Sequence, residues 1–205
     1  MFEETFKAEL INLGAEGSLI DQLWSELQSK YSNPTRHYHI LAHLDNLIEQ
    51  LLPIRNKIEN WQVLIFSVAY HDIIYNTLKK DNEERSAVFA YERMTLLNFP
   101  STLKEKCGLQ ILSTKHHRLN DDADTNYFTD ADLSILGSDA VSYITYTKQI
   151  RKEYSYFPDM LYKPGRRKVL AGFLEMENIF KTKYFRDKFE VQAKINISGE
   201  LKSLS

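Results

Sequence analysis

The sequence predicts an all-α protein, built as a bundle of about eight to ten helices. Apolar residues recur mostly at three- and four-residue spacing, which is the period of an amphipathic helix. Only seven glycines and five prolines interrupt the 205 residues. The segment WQVLIFSVAYHDIIY is rich in β-branched residues, but its length and the absence of partner strands elsewhere favour a buried helix.

Ten helices are expected in order along the chain. Turn or capping residues separate them in the segments GAEG, SNPT, LNFPS, RLNDDADTN, LGSD and YKPG. The apolar spacing between these breaks predicts helices over 2–13, 18–31, 36–52, 60–75, 82–98, 101–116, 131–136, 139–156, 160–176 and 183–200. No internal repeat or linker divides the chain, which predicts a single domain over 1–205.

Composition and charge narrow the functional classes. The formal net charge of -2 argues against a general nucleic-acid binder. A single cysteine, Cys107, excludes an internal disulfide framework and a cysteine-rich zinc site. The opening MFEETFKAEL does not resemble a signal peptide, and the longest apolar run, VLIFSVAY, is too short to span a bilayer. We therefore expect a cytoplasmic protein with no nucleic-acid or membrane partner, and a homo-oligomer stays open.

The six histidines are confined to one part of the chain. They form three clusters, and carboxylates lie beside or soon after two of them. The clusters are His37, His39 and His43, then His71 followed by Asp72, then His116 and His117 with Asp130 and Asp132 downstream. Imidazole nitrogens and carboxylate oxygens from separate helices are typical ligands of a divalent metal ion.

His39 and His43 are four residues apart, so they would project from one face of the helix predicted over 36–52. His43 lies on the flank of the apolar stripe of that helix, near the edge of the core. His37 projects in a different direction, and we expect it to be an ordinary polar residue. The alternative for His39 and His43 is a boundary role, with hydrogen bonds to neighbouring helices.

His71 and Asp72 stand near the end of a segment that is apolar nearly all round, which is typical of a buried helix. A carboxylate there must be paired, hydrogen-bonded or metal-bound, because burying it alone is costly. An internal pair of Asp72 with an arginine or a histidine is the alternative to metal ligation.

Asp130 and Asp132 lie in the segment FTDADLSILG. Thr129 and Asp132 have the Thr-x-x-Asp spacing of a capping box, which would open a short helix. A carboxylate at a helix N-terminus stays ionised because of the helix dipole, which suits a metal ligand. Capping and ligation are therefore compatible at this position.

The order of His43, His71-Asp72 and a distant aspartate resembles the HD-domain superfamily of metal-dependent phosphohydrolases, which are all-helical. YHILAH is similar to the Y-H-x-x-x-H stretch of the related cyclic-nucleotide phosphodiesterases, and ADLS is similar to their segment with the last aspartate ligand. The run IRKEYSYFPDMLYKPGRRKVLAGFL is similar to one branch of small bacterial HD proteins, known only as predicted phosphohydrolases. The resemblance covers 31–176. Within one HD-type domain it implies N-terminal helices at 1–30, a metal-site core at 31–137 and C-terminal helices at 138–205.

The resemblance also implies a role for each residue that matches a motif. Four residues would bind the metal ion: His43, His71, Asp72 and Asp132. Asp130 is the alternative for the last ligand, and His39 would be the general acid. His117 would face the substrate phosphate, with His116 as its alternative. The other explanation for these two histidines is a helix C-terminus, where a charged histidine complements the dipole.

Further residues bear on the chemistry that the resemblance implies. Tyr75 stands where many relatives have a histidine or lysine, which argues against a second strongly held metal ion. In DNEERSA, Glu83 or Glu84 would orient the attacking water, whereas Asp81 and Glu84 also have the spacing of a helix cap and its partner. Phosphate contacts would come from positively charged or histidine side chains: Arg36, Lys115, His117 and Arg166.

The resulting hypothesis is the hydrolysis of a phosphate ester in a nucleotide or another small phosphorylated metabolite. One divalent ion, drawn from Mn, Fe, Co, Ni, Zn and Mg, would activate a water molecule and neutralise phosphoryl charge. His39, as imidazolium, would protonate the leaving oxygen. The alternatives are a metal- or nucleotide-sensing module of the same fold without turnover, and a helical interaction protein whose histidines are satisfied in the core.

Overall fold

The computed structural model describes residues 1–204, and every regular element in that range is helical, so the predicted all-α class is confirmed. The α-helices are α1 Phe2–Asn12, α2 Gly17–Tyr31, α3 Leu41–Leu51, α4 Trp61–Tyr70, α5 Asn82–Leu96, α6 Ser101–Ser113, α7 Ala123–Asp132, α8 Ala140–Glu153, α9 Asp159–Glu175 and α10 Lys183–Ser203. Two 3-10 segments, Leu52–Lys57 and Leu133–Gly137, continue α3 and α7. Within the described range, no helix has the length and apolar character needed to cross a membrane.

The largest differences from the predicted helix boundaries lie near the histidines and aspartates. α3 begins at Leu41 rather than at position 36, because the backbone of Ile40 is extended (φ -116°, ψ 177°) and cannot continue a helix. α4 ends at Tyr70 rather than at position 75. α7 begins inside the segment RLNDDADTN, which was expected to be a break, and the short helix predicted over 131–136 is mostly a 3-10 turn.

The start of α7 is set by Asp122. Its carboxylate accepts hydrogen bonds from the Thr125 N–H (3.0 Å) and hydroxyl (2.6 Å), the N-cap arrangement that satisfies a backbone donor of the first turn. Thr129 therefore lies inside the helix, where its hydroxyl donates to the Thr125 carbonyl (3.0 Å). The capping box expected for Thr129 and Asp132 is wrong, because Asp132 ends a helix instead of opening one.

The chain forms two compact units, and the first spans Met1–Thr129. Its centre is α4, in which every residue except Gln62 is buried, so the continuous apolar run folds as the core helix that the sequence predicts. Helices α1, α3, α5 and α6 contact α4. The buried hydroxyl of Ser67 donates to Gln110 Oε1 (2.7 Å). This packing supports α4 up to the two residues that follow it, His71 and Asp72.

The second unit starts at Asp130 and contains α8, α9 and α10. The 3-10 turn after α7 packs against α10, where Asn196 Nδ2 donates to the Leu136 carbonyl (2.9 Å). Gly137 lies in the same contact. A Cβ at this position would be 2.6 Å from the Phe189 carbonyl oxygen, so the approach of the two backbones requires glycine.

Candidate metal centre

Two buried histidines from different segments of the first unit meet at their Nε2 atoms. His43 lies in the first turn of α3 and His71 directly follows α4, yet their Nε2 atoms are 3.2 Å apart. Only 2% of His43 and 1% of His71 is exposed. Two imidazoles at this separation either share one proton or present their lone pairs to a common partner.

The orientation of the His71 ring is determined by the end of α4. Its Nδ1 lies 2.9 Å from the Val68 carbonyl oxygen, which can only accept a hydrogen bond, so Nδ1 carries the proton. Nε2 of the neutral ring then keeps its lone pair and faces His43. A metal-binding histidine typically donates its other ring N–H to a carbonyl in this way.

Asp72 adds a carboxylate to the same cluster. Its Oδ2 lies 3.1 Å from His71 Nε2, 3.9 Å from His43 Nε2 and 3.8 Å from His39 Nε2. The side chains of Asp72 and His39 are 19% and 18% exposed, whereas those of His43 and His71 are 1% exposed. The two buried histidines therefore form the floor of the cluster, and Asp72 and His39 form its rim.

A second carboxylate of the cluster stands at the end of α7. Phe128, one turn earlier on that helix, packs against the His71 ring with 5.6 Å between centroids. Residues four apart share a helix face, so Asp132 follows Phe128 on the face turned towards His71. One ligand atom from each of His43, His71 and Asp132 lies within 4.8 Å of the other two.

The spacing and chemistry of this cluster fit a divalent metal ion. Two ligand atoms held about 2.1 Å from one ion are roughly 3.0–3.4 Å apart at angles of roughly 90–109°. The 3.2 Å between the Nε2 atoms of His43 and His71 falls within that interval. Imidazole nitrogens together with carboxylate oxygens suit Mn, Fe, Co, Ni or Zn better than Mg, which prefers oxygen ligands. The cluster of His43, His71 and Asp132 could therefore hold a metal ion.

His39 reaches the cluster by a different route from the predicted one. The helix expected over 36–52 begins only at Leu41, so His39 does not lie one helical turn before His43. The non-helical segment before α3 still brings the two ring centroids to 5.5 Å. Tyr75 also packs on His39, with centroids 4.3 Å apart. Aromatic contacts, rather than helix geometry, place His39 at the rim.

Arg36, predicted to contact phosphate, is a buried clamp on the backbone. Its guanidinium donates to the carbonyls of His39 (3.2 Å) and Ile73 (3.0 Å). The same group lies over the rings of Tyr31 (4.8 Å) and Tyr75 (5.3 Å). It therefore joins the segment before α3 to the segment after α4, and its burial does not support a phosphate contact.

Lys115 pairs with both acidic residues that were expected to orient water. Its Nζ lies 2.5 Å from Glu84 Oε1 and 3.8 Å from Glu83 Oε2, and it donates to the Lys80 carbonyl (2.8 Å). The hydrogen bond between Lys115 and Glu84 lowers the pKa of Glu84 and raises that of Lys115. Asp81 stands at the N-cap position of α5, but its side chain makes no capping bond. Lys115, Glu83 and Glu84 therefore have structural partners of their own.

His116 and His117 follow the C-terminal end of α6. His117 has a left-handed backbone conformation (φ 48°), and its N–H donates to the Ser113 carbonyl (3.0 Å). This bond satisfies a carbonyl of the last turn. The backbone of His117 therefore lies at a helix C-terminus, which is the alternative to phosphate binding given in the sequence analysis.

Asp130 and Arg166 have structural partners within the second unit. The Asp130 carboxylate accepts the N–H of Lys181 and of the next residue (2.8 Å each), at the start of α10. Burial raises the pKa of Asp130, although the Lys181 ammonium and these bonds oppose the rise. Arg166 forms a buried bidentate ion pair with Glu200 (2.8 and 3.0 Å), which leaves its guanidinium in a structural role. Asp132, rather than Asp130, belongs to the cluster.

Two residues that shape the cluster are absent from the motifs: Asp124 and Phe128. Only their spacing in the sequence indicates a role near the cluster. Asp124 precedes Asp132 by eight residues and Phe128 precedes it by four, so in a helix the three side chains lie on one face. The polar segment RLNDDADTN hides this signal, since its residue types are as common in loops as at helix starts. Asp122, as the N-cap of α7, is the residue that makes this segment a helix.

Comparisons with protein-family models, curated proteins and solved structures find no match. The resemblance to HD-domain phosphohydrolases therefore stays an expectation from the motifs.

Proposed function

We propose that this protein hydrolyses a phosphate ester with one divalent metal ion, held by His43, His71, Asp72 and Asp132. The observation that carries the proposal is the buried pair of His43 and His71, with Nε2 atoms 3.2 Å apart. Asp72 and His39 are partly exposed, so the cluster is open on their side. A catalytic metal site needs such an open side for water and substrate, whereas a structural site is closed.

The chemistry divides between the metal ion and the residues at the rim. A bound ion lowers the pKa of a coordinated water and neutralises phosphoryl charge. Asp72 places negative charge beside the histidines and completes the ligand set. His39, with Nε2 at 3.8 Å from Asp72 Oδ2, protonates the leaving oxygen of the ester, and Tyr75 supports its ring. The substrate class, a nucleotide or another small phosphorylated metabolite, follows from the motif resemblance.

One observation favours a second candidate, a metal-sensing module of the same fold without turnover. Glu83 and Glu84, which were expected to orient the attacking water, are paired with Lys115. A site without an acidic helper would keep its metal ion but hydrolyse esters slowly. The two candidates differ in one measurable quantity, the number of product molecules released per protein molecule.

Metal analysis followed by a phosphate-release assay tests the proposal. Protein loaded with Mn²⁺ or Zn²⁺ is expected to hold one ion per chain at this site and to release phosphate from a panel of nucleotides over many turnovers. Asp72→Ala should lose activity and bound metal, whereas Asp121→Ala, at an exposed aspartate, should keep both. Full activity with bound metal in Asp72→Ala would refute the ligand assignment. A metal-loaded protein without turnover would favour the sensor.

His39→Gln separates proton donation from metal binding. This variant should keep the metal ion but lose about 10²-fold or more in turnover, which is typical for the loss of a general acid. A substrate with a p-nitrophenolate leaving group needs no proton, so its hydrolysis should fall much less. An equal loss with both types of leaving group would show that His39 is not the proton donor.

A further inference from the structure

Helix α7 has two contacts with the ends of α4, both made from one helix face. Asp124 and Phe128 are four residues apart, and Asp132 follows by four more, so the three side chains share that face. Asp124 contacts the start of α4, and Phe128 contacts His71, just beyond the end of α4. α7 therefore runs from the start of α4 towards its end.

The contact at the start of α4 is a pair of hydrogen bonds to one carboxylate. The two Asp124 oxygens accept the backbone N–H groups of Glu59 and Asn60, each at 2.9 Å. Such N–H groups at a helix start have no partner within the helix, so a buried carboxylate is a strong acceptor for them. Lys106 Nζ lies 3.2 Å from Asp124 Oδ2 and balances its charge. The contact is thus bidentate, buried and charge-compensated.

We propose that Asp124 is a positioning residue for the metal centre. By attaching the start of α7 to the start of α4, it sets the position of Asp132 relative to His43 and His71. Asp132 is eight residues further along the helix, about 12 Å at 1.5 Å per residue. Metal–ligand distances tolerate only about 0.2 Å, so a small slide or rotation of α7 would remove one ligand. This inference rests on the proposed metal site.

The test compares Zn²⁺ affinity in variants of the full chain. Asp124→Asn keeps the side-chain volume but replaces one acceptor oxygen with an amide NH2, which cannot accept a backbone N–H. We expect its Zn²⁺ dissociation constant to rise about tenfold, the lower end of the effect of losing an outer-shell partner of a metal site. Asp121→Asn, an exposed aspartate before the same helix, should stay within about twofold of the unaltered protein.

A double-variant cycle separates positioning from a general loss of stability. If Asp124 acts through Asp132, adding Asp124→Asn to Asp132→Asn should change the Zn²⁺ dissociation constant by less than about twofold. An equal tenfold loss in both backgrounds would overturn the proposal, because Asp124 would then act by another route. Unaltered affinity in Asp124→Asn would overturn it as well.

Amide hydrogen exchange provides a measurement that needs no variant. If α7 couples the two ends of α4, Zn²⁺ should slow the exchange of the Glu59 and Asn60 amides several-fold, because coupling between sites is reciprocal. The Leu103 and Lys104 amides, at the start of α6, serve as the reference and should not change. Zn²⁺ binding without protection of Glu59 and Asn60 would refute the positioning role alone. A protein that binds no Zn²⁺ would refute the proposed metal site together with it.

Discussion

His43 and His71 place their Nε2 atoms 3.2 Å apart, although 28 residues separate them in the sequence. His71 is oriented by its bond to the Val68 carbonyl, so this geometry belongs to the folded chain and not to either segment alone. A metal ion held by this pair of imidazoles would bind the folded state far better than the unfolded chain. Metal binding at this site would therefore be linked to folding stability.

Added Zn²⁺ is expected to stabilise the protein through this pair. A ligand that binds only the folded state adds about 2.7 kcal/mol to the free energy of unfolding at a hundred times its dissociation constant. His71→Asn should abolish this gain, because the amide can still donate to the Val68 carbonyl but offers no ligand in place of Nε2. His116→Asn, at an exposed helix end, should retain it. Urea unfolding with and without Zn²⁺ measures the gain, and equal gains in both variants would contradict the assignment.

Arg36→Lys is expected to destabilise the fold by about 1–3 kcal/mol, because lysine cannot reproduce the planar fork that bridges two carbonyls. The bonds at risk are those to the His39 and Ile73 carbonyls. Arg118→Lys, at an exposed position, should change the free energy of unfolding by less than about 0.5 kcal/mol. Urea denaturation of both variants provides the comparison. Equal stability of the two would show that the clamp contributes little.

Two glycine substitutions should have opposite effects on stability. In Gly137→Ala the new Cβ would meet the Phe189 backbone at 2.6 Å, so the variant should lose about 1–3 kcal/mol. In Gly165→Ala nothing lies within 4 Å of the new Cβ, and alanine favours the helix, so the variant should gain about 0.5–1 kcal/mol. Thermal unfolding distinguishes the two variants. A loss of stability in both variants would contradict the open space around Gly165.

The buried thiol of Cys107 couples stability to alkaline pH. Burial raises the pKa of Cys107 from 9.0 to about 12, although a hydrogen bond with Ser67 opposes the rise. Between these values the unfolded chain loses a proton that the folded protein keeps. The contribution to stability is therefore complete below the unfolded pKa and disappears as the pH rises towards the folded pKa.

The size of this effect is accessible by comparing two variants at two pH values. From pH 8 to about pH 10 the thiol should account for a loss of about 1.4 kcal/mol in the free energy of unfolding. Cys107→Ala should lack that part of the decline, whatever its stability at pH 8, whereas Ser113→Ala should show the full decline. Parallel pH dependence of the Cys107→Ala variant and the unaltered protein, measured by urea unfolding, would contradict the prediction.

The helices were predictable wherever an apolar pattern demanded burial. The run from Trp61 to Tyr70 is apolar nearly all round, so it must be buried to be hidden from water. Helix ends near the cluster were not predictable, because tertiary contacts decide them. The Arg36 clamp reaches the Ile73 carbonyl across 37 residues, a partner that local pattern cannot indicate. Likewise, Asp122 could begin a helix or stay in a loop, and both are common for aspartate.

The sequence by itself determined the helical class and the histidines and aspartates that define the candidate metal centre. Only the tertiary structure decided which aspartate near the end of α7 belongs there. Asp130 and Asp132 are two residues apart, and a helix turns about 100° per residue, so their side chains point to nearly opposite sides. Asp130 faces the start of α10, where it accepts the Lys181 N–H, and Asp132 faces His43 and His71. The rotation of α7 about its axis, which depends on packing, therefore determines that Asp132 and not Asp130 belongs to the cluster.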